Sequence, residues 1–159
     1  MATQALLFAI ASDMHQDIMH DGPQRLQAFL DAAIQSRVDM AVQLGDFCQP
    51  TPANRSFLAQ WEALDIPRYN VLGNHDMDGG FTRQDTVAYM SMPNRYYSFD
   101  RKGWHCVVLD GNDPSEPPRE GYARGVAADQ RAWLTADLQG TELPVLIFIH
   151  QSLDRGDVD

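Results

Sequence analysis

The sequence predicts an α/β fold, and three observations carry that prediction. Short apolar runs alternate with stretches whose apolar residues recur at three- and four-residue spacing. Each early run ends on polar residues, with Asp, Asn or His among them. Two runs in the second half are joined by a connection too short for a parallel crossover. At 159 residues with 44% hydrophobic content, the chain fits one domain spanning 1–159.

Taken in order, Ala5–Ala11 (ALLFAIA) reads as the first strand. No Lys or Arg precedes it, and Ser12-Asp13-Met14-His15 follows at once without a cleavage pattern, so it is not read as a signal peptide. After a loop through Asp21-Gly22, Pro23 stands at a first helical position, and Leu26, Phe29, Leu30, Ala33 and Ile34 give that helix one apolar face. Met40–Leu44 is a second strand, ended by Gly45-Asp46. Pro50 and Pro52 mark a loop, and Phe57, Leu58, Trp61 and Leu64 trace a second amphipathic helix. Pro67 precedes a third strand, Tyr69–Leu72, which runs into Gly73-Asn74-His75-Asp76. The opening is therefore βαβαβ.

The texture then changes. Gly79-Gly80 reads as a loop and Arg83–Met90 as a short helix. Tyr96–Phe99 and His105–Leu109 read as antiparallel strands joined by a turn at Asp100–Gly103. Gly111–Gly125 holds three Pro and three Gly, and a loop that long in a compact domain is expected to be functional or disordered. A further helix over Asp129–Leu138 turns Trp133, Leu134 and Leu138 inward, and the apolar strand Pro144–Ile149 (PVLIFI) ends on His150.

Bulk properties exclude some functions. A formal charge of −10 with no basic stripe argues against sequence-independent nucleic-acid binding. It leaves room for a small anionic substrate, because bound cations reverse the local potential. No apolar stretch approaches a membrane span. Cys48 and Cys106 do not make a disulfide framework, and a reduced cytoplasmic setting is expected.

In open α/β sheets, ligands bind at the carboxyl ends of the strands. Here those ends carry Asp13 and His15, then Asp46, then Asn74, His75 and Asp76, then His150. Each has an ordinary explanation: a turn or cap for Asp13-Met14-His15 and Gly73–Asp76, a turn dipeptide for Gly45-Asp46, an edge histidine for His150. Four separate strands delivering metal-competent residues to one edge is hard to credit to turns alone, and a metal site is the reading they share.

In this order the chain resembles the calcineurin-like metallophosphoesterases. Asp13-Met14-His15, Gly45-Asp46, Gly73-Asn74-His75-Asp76 and the lone His150 match the first four blocks of that family's motif order. Asn94–Phe99, the Trp104–Asp110 strand and Gln130-x-x-Trp133-Leu134 look like the branch of cyclic-nucleotide phosphodiesterases, purple-acid-phosphatase-like proteins and manganese-dependent ADP-ribose/CDP-alcohol diphosphatases. The resemblance implies an αββα sandwich and two divalent or trivalent transition-metal ions, with Mn, Fe or Zn suited to mixed N/O ligands. It implies Asp13 and His15 on one metal, Asn74 and His150 on the other, and Asp46 bridging. A hydroxide held between the ions would attack phosphorus. His75 would protonate the leaving alkoxide or stabilise the transition state, with Asp76 orienting its imidazole.

The family's last block, Gly-His-x-His, has no counterpart here, and the fold is expected to be incomplete at its C-terminus. His105 reads as structural and His20 as a solvated loop residue at the border of the site. PVLIFI looks like a central strand, so its uncovered edge predicts self-association through the C-terminal region. The expected function is hydrolysis of a small phosphodiester or nucleotide pyrophosphate. The alternative is a catalytically impaired form of the fold acting as a scaffold. Arg95, Arg119 and Arg124 are candidate phosphate contacts, and the Gly111–Gly125 loop is the candidate substrate rim.

Overall fold

The computed structural model describes residues 4–114 and 120–152. Strands β1 (Phe8–Ala11), β2 (Met40–Gln43) and β3 (Arg68–Asn70) form a parallel sheet in that order, with Phe8 opposite Met40 and Ala41 opposite Arg68. Helices α1 (Gly22–Gln35) and α2 (Arg55–Glu62) make the connections, and Pro23 sits in the first turn of α1 as expected. The first and third strands are shorter than their apolar runs. Leu7 and Asp39, just before β1 and β2, are joined by Asp39 N–H to the Leu7 carbonyl and Leu7 N–H to the Asp39 carboxylate, and the β2–β3 ladder closes with Val71 N–H on the Gln43 carbonyl.

The second sheet contains β4 (Tyr97–Arg101), β5 (Trp104–Val108) and β6 (Val145–Phe148). The β4–β5 pair is antiparallel, closed by Lys102 and Gly103 at φ 49° and 80°, the positive values that a tight two-residue hairpin requires. β6 runs parallel to β5 after a connection through α4 (Ala128–Gln139). Helix α3 (Arg83–Tyr89) lies between the sheets in sequence and begins with a reciprocal capping box between Thr82 and Asp85.

One core lies between the sheets and a second under α1 and α2, while α4 covers the outer face of the second sheet, giving the αββα arrangement expected. Met40, Val42, Val71, Cys106, Val108 and Phe148 fill the space between the sheets. On the other face of the first sheet, Leu26, Leu30, Phe57, Leu58 and Trp61 pack against Ala41, Phe47 and Leu72. β2 is the central strand and all four of its residues are buried. Its one polar member, Gln43, is satisfied by the Val71 carbonyl at 3.2 Å and the Gly45 N–H at 2.7 Å. Among the described residues β6 pairs on one side only, and its outward Val145 and Ile147 are 37% and 45% exposed. Cys48 and Cys106 are free and buried, and burial pushes the Cys106 thiol up to about 11. No helix among the described residues is long and apolar enough to cross a membrane.

Helix α4 turns its predicted apolar residues inward but buries them only in part. Trp133, Leu134 and Leu138 are half-buried, with the Trp133 ring 4.8 Å from Tyr96, and the fully buried residue is Gln130. Polar contacts complete the docking: Asp137 accepts from Ser98 at 2.7 Å and meets His105 Nε2 at 2.8 Å. His105 is structural, as expected. Its Nδ1 lies 2.7 Å from Asp100, so the ring clamps the second sheet to α4.

This clamp gives stability a pH dependence. Burial alone would lower the pKa of His105, but hydrogen bonds and charge from Asp137 and Asp100 outweigh it and raise the pKa. The contribution is complete below the unfolded value of about 6.5 and is lost as pH rises through the folded-state value. Thermal unfolding followed by circular dichroism should show Tm falling as pH rises above about 6.5, and falling less steeply in His105→Gln.

Candidate metal centre

The polar segments that follow β1, β2, β3 and β6 meet at one end of the sandwich. Two glycines let the backbones abut. A Cβ on Gly45, at φ 102°, would lie 2.5 Å from the Gly73 nitrogen, and a Cβ on Gly73 would lie 2.1 Å from the Asp46 nitrogen. The segment after β1 is zipped to the segment after β2 by Asp13 N–H to Gly45, His15 N–H to Asp46 and Gln16 N–H to Phe47. The segment after β3 is pinned by Asp76, whose fully buried carboxylate accepts from the amides of Asp46, Phe47, Cys48 and Gly73 at 2.6–3.0 Å. Burial pushes the Asp76 carboxyl up to about 7, against the pull of those amides.

With the backbones fixed, the side chains converge. Ligand atoms of Asp13, His15 and Asp46 all lie within 4.8 Å of one another. All three residues hold positive φ, at 57°, 46° and 53°. Such a conformation costs a non-glycine residue about 1–3 kcal/mol and concentrates at functional sites. A single oxygen of Asp46, Oδ2, lies 3.6 Å from His15 Nε2 and 3.4 Å from His150 Nε2. Burial alone would raise the pKa of Asp46, but the His150 ring and the His75 N–H, 2.8 Å from Oδ1, hold it below the ordinary carboxylate range. His150 bonds the Leu44 carbonyl through Nδ1 at 2.9 Å, leaving Nε2 as the nitrogen turned to Asp46. Asn74 Oδ1 accepts from Gln151 Nε2 at 2.5 Å, and an amide oxygen keeps a second lone pair.

His75 stands beside this cluster, its ring edge-to-face with His15 at 5.1 Å between centroids. The orienting contact expected of Asp76 is made by Asp78, whose Oδ2 is 2.6 Å from His75 Nδ1. Asp76 is taken up by the four amides. Tyr122 adds its hydroxyl 3.3 Å from the same nitrogen. A cavity of about 100 Å³ opens here, lined by His15, Asp17, Asp46, His75, Asp76 and Asp78 with Ile18, Phe47, Cys48 and Gln49, and by no Lys or Arg.

Of the three arginines that were candidates for phosphate contact, Arg95 is engaged elsewhere. Arg95 is committed to Asp110 at 3.0 Å, Asp113 at 3.1 Å and Asp129 at 2.9 Å. Arg83 pairs with the same Asp110 and Asp113 at 2.7 and 3.2 Å, so this is a buried structural network. Arg124 is exposed, as is His20, and Arg119 lies outside the described residues. The Gly111–Gly125 loop begins as core, with Gly111, Asn112 and Asp113 buried, and reaches the cleft through Tyr122. Asp78, Tyr122 and Gln151 carried no motif. Only Asp78 had a sequence signal, standing three residues past His75, the spacing at which side chains on a helical turn meet.

The calcineurin-like phosphoesterase family profile matches residues 6–154. No curated protein sequence matches the chain. Among solved structures, a dimetal phosphatase from Danio rerio aligns at 18% identity with a TM-score of 0.70, over 91% of this chain and 69% of that one. Yfce, a phosphoesterase from E. coli, aligns at 16% identity and TM-score 0.47 over 74% of this chain and 64% of its own. The first likeness is one of fold; the second is too low in TM-score to bear on it.

The two neighbouring aspartates should separate by experiment. Asp76→Ala strands four buried amides, each worth about 1–3 kcal/mol, and should cost at least about 3 kcal/mol of stability. Asp78→Ala, on a side chain about a third exposed, should cost less than about 1 kcal/mol. Urea midpoints at constant slope would measure the difference.

Proposed function

The chain belongs to the calcineurin-like phosphoesterase family, and from that premise we propose that it hydrolyses small phosphodiesters or nucleotide pyrophosphates at a two-metal centre. One observation carries the reading: Asp46 Oδ2 stands within 3.6 Å of both His15 and His150 through their Nε2 atoms. A carboxylate flanked by two imidazoles from different sheets is suited to bridging two ions.

The donor set fits such ions. Asp13, His15 and Asp46 offer a converging triad, and His150 presents Nε2 with its tautomer fixed by Leu44. Asn74 would add a neutral amide oxygen. Mixed carboxylate, imidazole and amide donors suit Mn, Fe or Zn. When bound, two such ions neutralise phosphoryl oxygens and lower the pKa of water to near neutrality. The cavity supports the same reading, because a pocket lined by Asp17, Asp46 and Asp78 without Lys or Arg repels an anion until cations reverse its potential.

His75 is the proton donor in this proposal. Its Nδ1 is occupied by Asp78, which leaves Nε2 to protonate the departing oxygen. Asp76 acts through the backbone, holding the segment that carries Asn74 and His75 against the one that carries Asp46.

The full chain stripped with chelator should not turn over bis(p-nitrophenyl) phosphate, and added Mn²⁺ should restore turnover. Asp46→Asn should lose more than the roughly 10–100-fold typical of residues one shell further out. His75→Ala should fall by about 10²–10⁴ in kcat with metal content unchanged. A metal-loaded chain that hydrolyses neither the diester nor p-nitrophenyl phosphate would overturn the proposal.

A further inference from the structure

Three groups from distant parts of the chain converge on one nitrogen. His75 opens a 3₁₀ turn (His75–Gly80) that breaks at Asp78, with ψ 161°, and at Gly79, with φ 77°. The Asp78 carboxylate meets the His75 ring at 2.6 Å. Tyr122 arrives from the segment between β5 and α4. Its hydroxyl lies 3.2 and 3.4 Å from the two oxygens of Asp78 and 3.3 Å from His75 Nδ1. Its ring stands edge-to-face with the imidazole at 4.7 Å, as the His15 ring does at 5.1 Å. The imidazole is thus bonded at Nδ1 and flanked by two rings.

An exposed tyrosine hydroxyl and a third-exposed carboxylate are both well served by water. Their convergence on His75 therefore calls for a role at that ring. The Tyr122 segment is itself anchored at its two ends: Asn112 bridges to Gly125, and Asp113 accepts from Ala127 N–H at 2.9 Å.

We propose that Asp78 and Tyr122 are positioning residues for His75, with Asp78 fixing the ring so that Nε2 serves the leaving group and Tyr122 bracing Asp78. The inference rests on the reading of His75 as proton donor. In the step concerned, a water oxygen bonds to phosphorus and releases one proton to solvent, while the bond to the leaving oxygen breaks, its electron pair going to that oxygen. His75, entering protonated on both nitrogens, gives its Nε2 proton to that oxygen and keeps the Nδ1 proton, which stays hydrogen-bonded to Asp78. Proton donation matters most when the leaving oxygen is strongly basic, so loss of positioning should discriminate between leaving groups.

The test uses the full chain with Mn²⁺, an alkyl phosphodiester and a p-nitrophenyl phosphodiester. Asp78→Asn should lower kcat about 100-fold on the alkyl ester and less than about 10-fold on the p-nitrophenyl ester, with KM within about 3-fold. Tyr122→Phe should act in the same direction at about a tenth of that size. Equal losses on both esters, or none, would overturn the inference and leave the phosphoesterase reading standing. A second readout needs no turnover: imidazole NMR of the metal-free protein should show a downfield Nδ1–H signal that disappears in His75→Gln and in Asp78→Asn. Its absence from the wild type, or its survival in Asp78→Asn, would overturn the contact itself. A signal that behaves as expected in a metal-loaded chain inactive on both esters would overturn the functional reading, and the catalytic role of Asp78 and Tyr122 with it.

Discussion

The centre depends on one buried carboxylate that faces away from the cleft chemistry. Asp76 gathers the amides of Asp46, Phe47, Cys48 and Gly73, and so welds the segment after β2 to the segment after β3. The amides of three successive residues can point at one acceptor only if the chain curls tightly around it. The positive φ of Asp46 belongs to that curl, and it leaves the Asp46 side chain free to face His15 and His150. A buried charge costs heavily unless its lone pairs are filled. Here backbone donors fill them, which is a more rigid solution than a mobile side-chain partner.

The early part of the fold was legible because its physics is local. Pro23, the spacing of Leu26, Leu30 and Ala33, and the apolar Met40–Val42 run all act within a few residues of themselves. That Asp13, His15, Asp46, Asn74 and His150 stand at one end of the sandwich was legible for a related reason: a strand end is a sequence landmark, and all five follow strands. What the sequence did not disclose was pairing across distance. Asp76 follows His75 directly, so a functional partnership was natural to infer, but neighbours on a 3₁₀ turn point about 120° apart while i and i+3 eclipse. Asp78 shares the ring's side and Asp76 faces the interior. Arg95 resembled a surface arginine until Asp110, Asp113 and Asp129 surrounded it. On α4 the sequence did not disclose Gln130 as the buried residue, because its partner, the Asp110 backbone at 2.8 and 2.9 Å, lies twenty residues away.

The charges are partitioned between two regions. Asp110 and Asp113 are neutralised by Arg83 and Arg95 beside the second sheet, and the structure there is self-contained. At the cleft, Asp13, Asp17, Asp46 and Asp78 have no comparable arginine among the described contacts, and their partners are histidines, amides and hydroxyls. Those partners relieve carboxylates without cancelling their charge. The same chain thus uses arginine where it needs a permanent joint and withholds it where cations are proposed to bind.

The contact between Asp46 and His150 spans the two sheets: Asp46 follows β2 and His150 follows β6. Any ligand gripping both residues therefore binds only the docked sandwich and has little affinity for chains in which the sheets have separated. By mass action, occupancy at one hundred times the dissociation constant would add about 2.7 kcal/mol to the cohesion of the whole domain. The apolar layer between the sheets and the polar cluster at their end are then two terms of one equilibrium, and chelation would loosen residues far from the cleft.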